Sequence, residues 1–181
     1  TNPAISFWDT PGVAAKIARF PFIVAFAYTR DESNHFADVL LPDATDLEGL
    51  QLLRLAATKY QEQFWEHEGF ALRQPVVAAR GEARDFTDIC TELARRCGLL
   101  EKYNAAINRG TCGVKLDGPH GDFTLEPTVA HSREAIWDAA CKAASAELSD
   151  GAEVLGLDWW KAHGLKTRPF PREQWYLYPT V

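Results

Sequence analysis

C-x-x-C spacing is missing from this sequence. Its four cysteines, Cys90, Cys97, Cys112 and Cys141, stand apart, so no zinc ribbon and no iron–sulfur ligand set can be read from them. Their spacing reads as buried thiols, with Cys90 and Cys97 on one face of a predicted helix. Uninterrupted apolar runs of membrane-spanning length, about 18 residues, are also missing. The opening "TNPAISFWDT" lacks the charged-then-apolar pattern of a signal peptide. Methionine is absent altogether, and no physical reason for that is visible. Net positive charge is lacking too. At a formal charge of -6 the chain has no broad attraction for nucleic acid or an anionic membrane surface, and no nucleic-acid partner is expected. The catalytic and nucleotide signatures G-x-S-x-G, H-E-x-x-H, the Walker loop and G-x-G-x-x-G do not occur, and no internal repeat is present.

The remaining composition is that of an ordinary globular domain: 181 residues, 46% apolar and 24% charged. Thr10 and Pro11 form a helix opening, hydroxyl at the N-cap and proline at N1. Val13, Ala14, Ile17 and Phe20 then recur at helical spacing. "FIVAFAY" carries no charge, as expected of a strand buried on both faces of a parallel sheet. "TRDESNHF" has room for one or two helical turns, and "ADVLLP" is a second apolar strand. Helix, strand, short helix, strand predicts an α/β fold, Rossmann-like and doubly wound, with a mainly parallel sheet flanked by helices.

Residues 49–80 read less clearly. "LQLLRLAATKY" fits a helix or irregular chain, and "EQFWEHEGFALRQPVV", with Gly69 inside it, fits extended chain or a hairpin. "GEARDFTDICTELARRCG" is a helix with Asp85 at its start, an apolar face of Phe86, Ile89, Cys90, Leu93 and Cys97, and Gly98 at its end. "LLEKYNAAIN" predicts another helix. Residues 109–131, rich in Gly and Pro, predict a loop with at most one strand. "SREAIWDAACKAASAEL" predicts a helix capped by Ser132, its buried stripe Ile136, Trp137, Ala140, Cys141 and Ala144. Two segments follow: a domain over 1–150, and an aromatic and proline-rich extension over 151–181 that packs on the domain or leads to a neighbouring one. The opening Asn-Pro turn runs straight into a helix start, which predicts a piece cut from a longer chain.

Ligands of open α/β sheets lie beyond the carboxyl ends of the strands. Three loops are expected there: Asn2-Pro3 onward, Tyr28-Thr29-Arg30, and Asp43 to Glu48, the last in "FADVLLPDATDLEGL". Their N–H groups suit phosphate, and their acids and hydroxyls suit a ribose or purine. The competing reading makes them helix caps and solvated loop residues. Asp43, Asp46 and Glu48 have acid–base chemistry, but no partner nucleophile accompanies them. His35, His67, His120, His131 and His163 are scattered. "DGPHGD" reads as a surface turn, and the acids beside His67 form no dyad with it.

Taken in order and spacing, residues 1–48, with Ala37 to Pro42 and then Glu48, resemble the third domain of molybdopterin oxidoreductases of the dimethyl sulfoxide reductase family. "ALRQPVVAARGEARDFTDICTELARRCGL" resembles the family's next segment. The resemblance covers residues 1–100. It implies a domain that holds the guanine nucleotide end of one pterin in a bis-molybdopterin guanine dinucleotide cofactor of molybdenum or tungsten. The metal ligand and the iron–sulfur cluster would lie in domains not contained here, so no catalytic residue and no metal ligand is assigned to this chain. By position the resemblance points to Asn2 and Pro3, Tyr28 and Thr29, Asp43 and Thr45, and Asp85 as cofactor-binding residues. It makes Asp85 the acid that accepts the N1 and N2 hydrogens of guanine. Phe26-Ala27 stand where many relatives carry Gln-Asp, which leaves that strand without its acid. The implied partners are the other domains of the same subunit, an iron–sulfur electron-transfer subunit and a membrane anchor. "QWYLYPTV" resembles the branch that oxidises phenylacetyl-CoA, and "FALRQPVV" the polysulfide and thiosulfate reductase branch. A non-catalytic interaction module, with Trp159, Trp160 and Trp175 in one exposed patch, is the other expectation, followed by a hydrolase using the acids of 43–48.

Overall fold

The computed structural model describes residues 2–55, 67–110 and 113–169. The chain divides into two compact units: residues 1–49 with 76–86, and residues 50–75 with 87–181. Both helices and strands are present, in a mixed α/β arrangement with two small separate sheets.

The first unit opens with α1 (Pro3–Ser6) and α2 (Thr10–Ile17). Asp9, one residue earlier than the expected Thr10, caps α2 and accepts from Gly12 N at 3.2 Å. A carboxylate caps as well as a hydroxyl does. β1 (Val24–Ala27) and β2 (Val39–Pro42) then pair in parallel, Val24 against Val39 through Ala27 against Pro42. The crossover between them holds a single 3-10 turn, Asn34–Phe36.

The order of elements and the parallel pairing agree with the sequence reading; the burial does not. β1, expected to be buried on both faces, is only half-buried over Ala25–Ala27 and exposed at Val24 (44%), and β2 is exposed throughout, with Val39 at 38%, Leu40 at 36% and Leu41 at 40%. Two strands form this sheet, and a doubly wound sheet with helices on both sides is not what these residues build. Ala4 is the one apolar side chain of this unit that is buried among its described residues. Val13, Ala14 and Ile17 of α2 are only half-buried and Phe20 is exposed.

The second unit holds the core. β3 (Gln51–Leu55), β4 (His67–Arg73) and β5 (Leu165–Pro169) form an antiparallel sheet with β4 in the centre. The segment that fitted helix or irregular chain is therefore a strand over 51–55. Gly69 is required in β4 because β5 passes so close: a Cβ there would lie 2.2 Å from the Lys166 carbonyl oxygen and 2.8 Å from Thr167 Cα. Glu68, beside it, is buried and meets the Arg168 guanidinium at 2.7 Å.

Four helices complete this unit: α3 (Phe86–Arg96), α4 (Leu100–Asn108), α5 (Arg133–Leu148) and α6 (Leu157–His163). α5 is the central helix. Ser132 accepts from Ala135 N at its start, and Ile136, Trp137, Ala140, Cys141 and Ala144 are all buried, as its sequence period requires. α3 buries a narrower face than its pattern offers. Ile89, Thr91 and Ala94 are buried, while Phe86 (57%) and Leu93 (44%) are exposed. Residues 113–131 carry no strand. They are tied to α4 by Asn108, which accepts from Leu125 N and donates to Leu125 O. No helix among the described residues is long and apolar enough to cross a membrane.

Candidate functional site

The parallel register ends β1 and β2 at the same level, and five of the seven expected site residues lie just beyond that edge. Asp43 N donates to Ala27 O (3.2 Å), so the last rung of the ladder is made by the first acid of the loop. Asp43 also bridges Arg84 in parallel fashion, and Ala44 N donates to Arg84 O at 3.0 Å. That bridge delivers Asp85, next in sequence, to the same edge. Asp85 is buried, with 7% of its surface exposed. No sequence pattern announces this meeting, because the two acids belong to segments far apart in the chain. The only local signal is a basic residue directly before an acid at a helix start.

Asp43 is the electrostatically unusual residue. Its Oδ1 is buried with no hydrogen-bond partner among the described residues. Burial pushes its carboxyl above the ordinary value and the charge of Asp85 adds to that, while the backbone hydrogen bond at Ala44 pulls the other way. Two neighbouring acids, one with an orphaned oxygen, form an arrangement suited to a ligand that brings N–H donors or positive charge.

The remaining expected residues have different work. Asn2 spends both side-chain polar atoms inside the protein, its Nδ2 on Glu32 and its Oδ1 on Ser33 Oγ. Ser33 Oγ in turn accepts from Ala4 N at 2.8 Å. Asn2, with Pro3 starting α1 beside it, thus pins the crossover loop, and both polar ends of its side chain are engaged within the protein. Tyr28 and Thr29 are exposed at the strand end, and Thr29 O accepts from Asn34 Nδ2 at 2.8 Å. Asp31 and Asn34 lock the same loop by a reciprocal pair of bonds, 3.0 and 2.8 Å. This network was not foreseen from the sequence. Beside it a cavity of about 180 Å³, lined by Arg30, Asn34 and His35 among others, has room for a few waters or a small ion.

Thr45 and Glu48 close on each other. Thr45 N and Oγ1 both donate to Glu48 Oε2 (2.8 and 2.9 Å), and Glu48 Oε1 accepts from Arg80 N at 3.1 Å. The Thr45 backbone N–H, its hydroxyl and then Arg80 hold the Glu48 carboxyl below the ordinary range. Glu48 is therefore a loop clamp, both of its oxygens already accepting, and with its carboxyl held low it is a poor general acid or base. The hydrolase reading loses one of the three acids of this loop.

Trp160 is fully buried and Trp159 packs partly buried on the same core, so these two do not make the exposed aromatic patch expected of an interaction module. Trp175 lies outside the described residues. His67 starts β4, and its neighbour Glu68 is turned inward to Arg168. Among the described residues no group of three or more His, Cys, Asp or Glu is placed to hold a metal ion. No family model, no curated protein and no solved structure matches this chain.

Proposed function

We propose that the first unit holds the guanine nucleotide end of a pterin cofactor, as part of a larger molybdopterin oxidoreductase. The observation that carries the reading is Asp43 Oδ1, orphaned at the carboxyl edge of a parallel strand pair with Asp85 beside it. Guanine presents two adjacent N–H donors, N1 and N2, and a carboxylate pair accepts both. Adenine lacks that pair of donors on the same edge. Asp43 and Asp85 would accept from the base. Tyr28 and Thr29, exposed at the neighbouring strand end, would border the sugar and phosphate. Asn2, Pro3, Thr45 and Glu48 would act by shaping the loops. The cofactor, when bound, would supply the redox chemistry through a molybdenum or tungsten ion held elsewhere in the parent.

The exposure of β2, and of Val24 in β1, supports a continuation of this layer. Two parallel strands do not form an independently stable sheet, and a unit whose only buried apolar side chain among the described residues is Ala4 has little core of its own. In the proposed parent the pair would be part of a doubly wound sheet, covered by further strands and helices. Its substrate would be phenylacetyl-CoA, or polysulfide or thiosulfate in the alternative branch, with an iron–sulfur subunit and a membrane anchor as partners. A second reading, a non-catalytic docking module, draws on other exposed apolar residues of this unit, Trp8 at 96%, Phe20 at 67% and Val76 at 72%.

Titration of the 181-residue chain with GMP and with AMP tests the reading. GMP is expected to bind weakly and saturably, AMP roughly tenfold more weakly, as hydrogen bonds to charged acceptors would require. Asp85→Ala and Asp43→Ala should each remove the preference. Equal affinity for the two nucleotides, or none for either, rejects it.

A further inference from the structure

The second unit contains a pocket unrelated to the strand-end acids. Its volume is about 430 Å³, within the usual range for a small-molecule site. Arg54, Arg109, Lys115, His120, Phe123 and Glu147 are among its lining. That places three permanent cations and one carboxylate around a single hollow in a protein of net charge -6. The carboxylate is already used: Glu147 Oε1 meets Arg54 Nη2 at 2.7 Å. Arg54 also donates to Gly113 O at 3.1 Å and stacks over Phe70 at 5.1 Å. Arg109 and Lys115 are solvent-facing, and no ion pair engages either among the described residues.

The wall is built rather than accidental. Val114 and Leu116 are buried in the core at 2% and 0% exposure. Leu116 N donates to Asn108 O and Phe123 N to Leu116 O, which fixes the loop between them. Two glycines let the side chains close in. A Cβ on Gly110 would lie 3.3 Å from Lys115 Cγ, and one on Gly121 would lie 2.7 Å from the Phe123 ring. Both have positive φ, 98° and 151°, where other residues are strained. A Cβ on Gly118 would make only ordinary contact, its nearest neighbour being Lys115 O at 3.5 Å. Ala143 and Ala146 of α5 and the ring of Phe123 contribute apolar surface to the same lining. The lining thus combines cationic and apolar side chains around one hollow.

We propose that this pocket binds a small organic anion, a phosphomonoester or a carboxylate carried on an apolar body. The anion would sit between Arg109 and Lys115, where charge-assisted hydrogen bonds are the strong ones. The body would lie on Phe123 and the α5 alanines. Glu147 keeps Arg54 oriented and admits one anionic group only.

Calorimetric titration of the 181-residue chain at low ionic strength, with phenyl phosphate, benzoate, inorganic phosphate and phenol, tests this. Saturable binding of phenyl phosphate or benzoate is expected, whichever binds naming the head group. Inorganic phosphate should bind several-fold more weakly and phenol not at all. Arg109→Gln with Lys115→Gln should weaken binding on the order of tenfold, and added salt should weaken it too. Gly118→Leu, which fills the hollow without touching a charge, should abolish it. Asp43→Asn should leave it unchanged, which separates this site from the nucleotide reading. The proposal is overturned if neither anion saturates by about 10 mM, an affinity of roughly 3 kcal/mol, if phenol or inorganic phosphate binds as well as phenyl phosphate, or if the double charge variant binds as the parent does.

Discussion

Asp43→Asn is expected to stabilise the strand-end region while removing its preference for guanine. The substitution keeps the shape of the side chain and deletes the charge. In the folded protein that charge is penalised by burial and by Asp85, so the carboxyl titrates above its ordinary value of 3.8. A group of this kind favours folding below its unfolded pKa, and the advantage is lost as pH rises through the folded pKa. The wild-type protein therefore bears the cost at neutral pH and not at pH 3. Asp43 keeps part of its surface in water, so the relief is about 0.5–1 kcal/mol rather than that of a deeply buried pair. Hydrogen exchange at the amide of Asp43, which donates to Ala27 O, reads this locally. Protection at pH 7, corrected for intrinsic rate, should rise about two- to fivefold in the variant. The difference should shrink as pH falls through the raised Asp43 value and vanish below about 3.8, the unfolded value. Lower protection in the variant at pH 7, or an equal gain at both ends of that range, would refute the assignment of a strained acid pair.

Gly69→Ala should destabilise the second unit by about 1–3 kcal/mol, the usual cost of overpacking, because its Cβ would meet the Lys166 carbonyl. Urea denaturation followed by circular dichroism measures this, and a change within about 0.5 kcal/mol would show that β5 can yield. In a Cys90→Ser, Cys112→Ser background, one thiol should react with a disulfide reagent in the native protein and two after denaturation. Cys97 is exposed, whereas Cys141 is fully buried and its thiol is pushed up to about 12, by burial first and then by the charge of Asp138.

What could be read from the sequence depended on how local the cause was. α5 was legible because its apolar period, its Ser132 cap and its buried stripe all lie within seventeen consecutive residues. The β1–crossover–β2 unit was legible for the same reason, each strand being a charge-free run. Its burial was not, because a run of apolar residues says a strand prefers cover and says nothing about whether cover is present in this chain. β3 was ambiguous since "LQLLRL" satisfies a helical and an extended reading equally. β5 was invisible. The extension containing it was expected to pack on the domain or lead to a neighbouring one, but that "LKTRP" does so as a strand is shown only by the distant Glu68 and Gly69. At the candidate site, the strand-end acids could be located by topology. The pairing of Asp43 with Asp85 needs a bridge to Arg84 that no spacing rule anticipates. "DGPHGD", taken as a surface turn, became part of the pocket wall because the cations beside it come from three separate segments.

The central place of β4 sets a timetable for synthesis. Its hairpin partner β3 is made before it, but Glu68 and Arg168, which tie it to β5, are 100 residues apart. At ordinary elongation rates the ribosome needs roughly 5–20 s to cover that distance. For that interval one hydrogen-bonding edge of β4, carrying Phe70 and Leu72, stands bare, and Glu68 has not yet met its arginine. A chain stopped short of Leu165 would keep that edge permanently, and an open edge of this kind recruits strands from other molecules. Nascent or truncated forms are thus the ones expected to call on chaperones, while the finished sheet is closed by five residues that look, in isolation, like a polar tail.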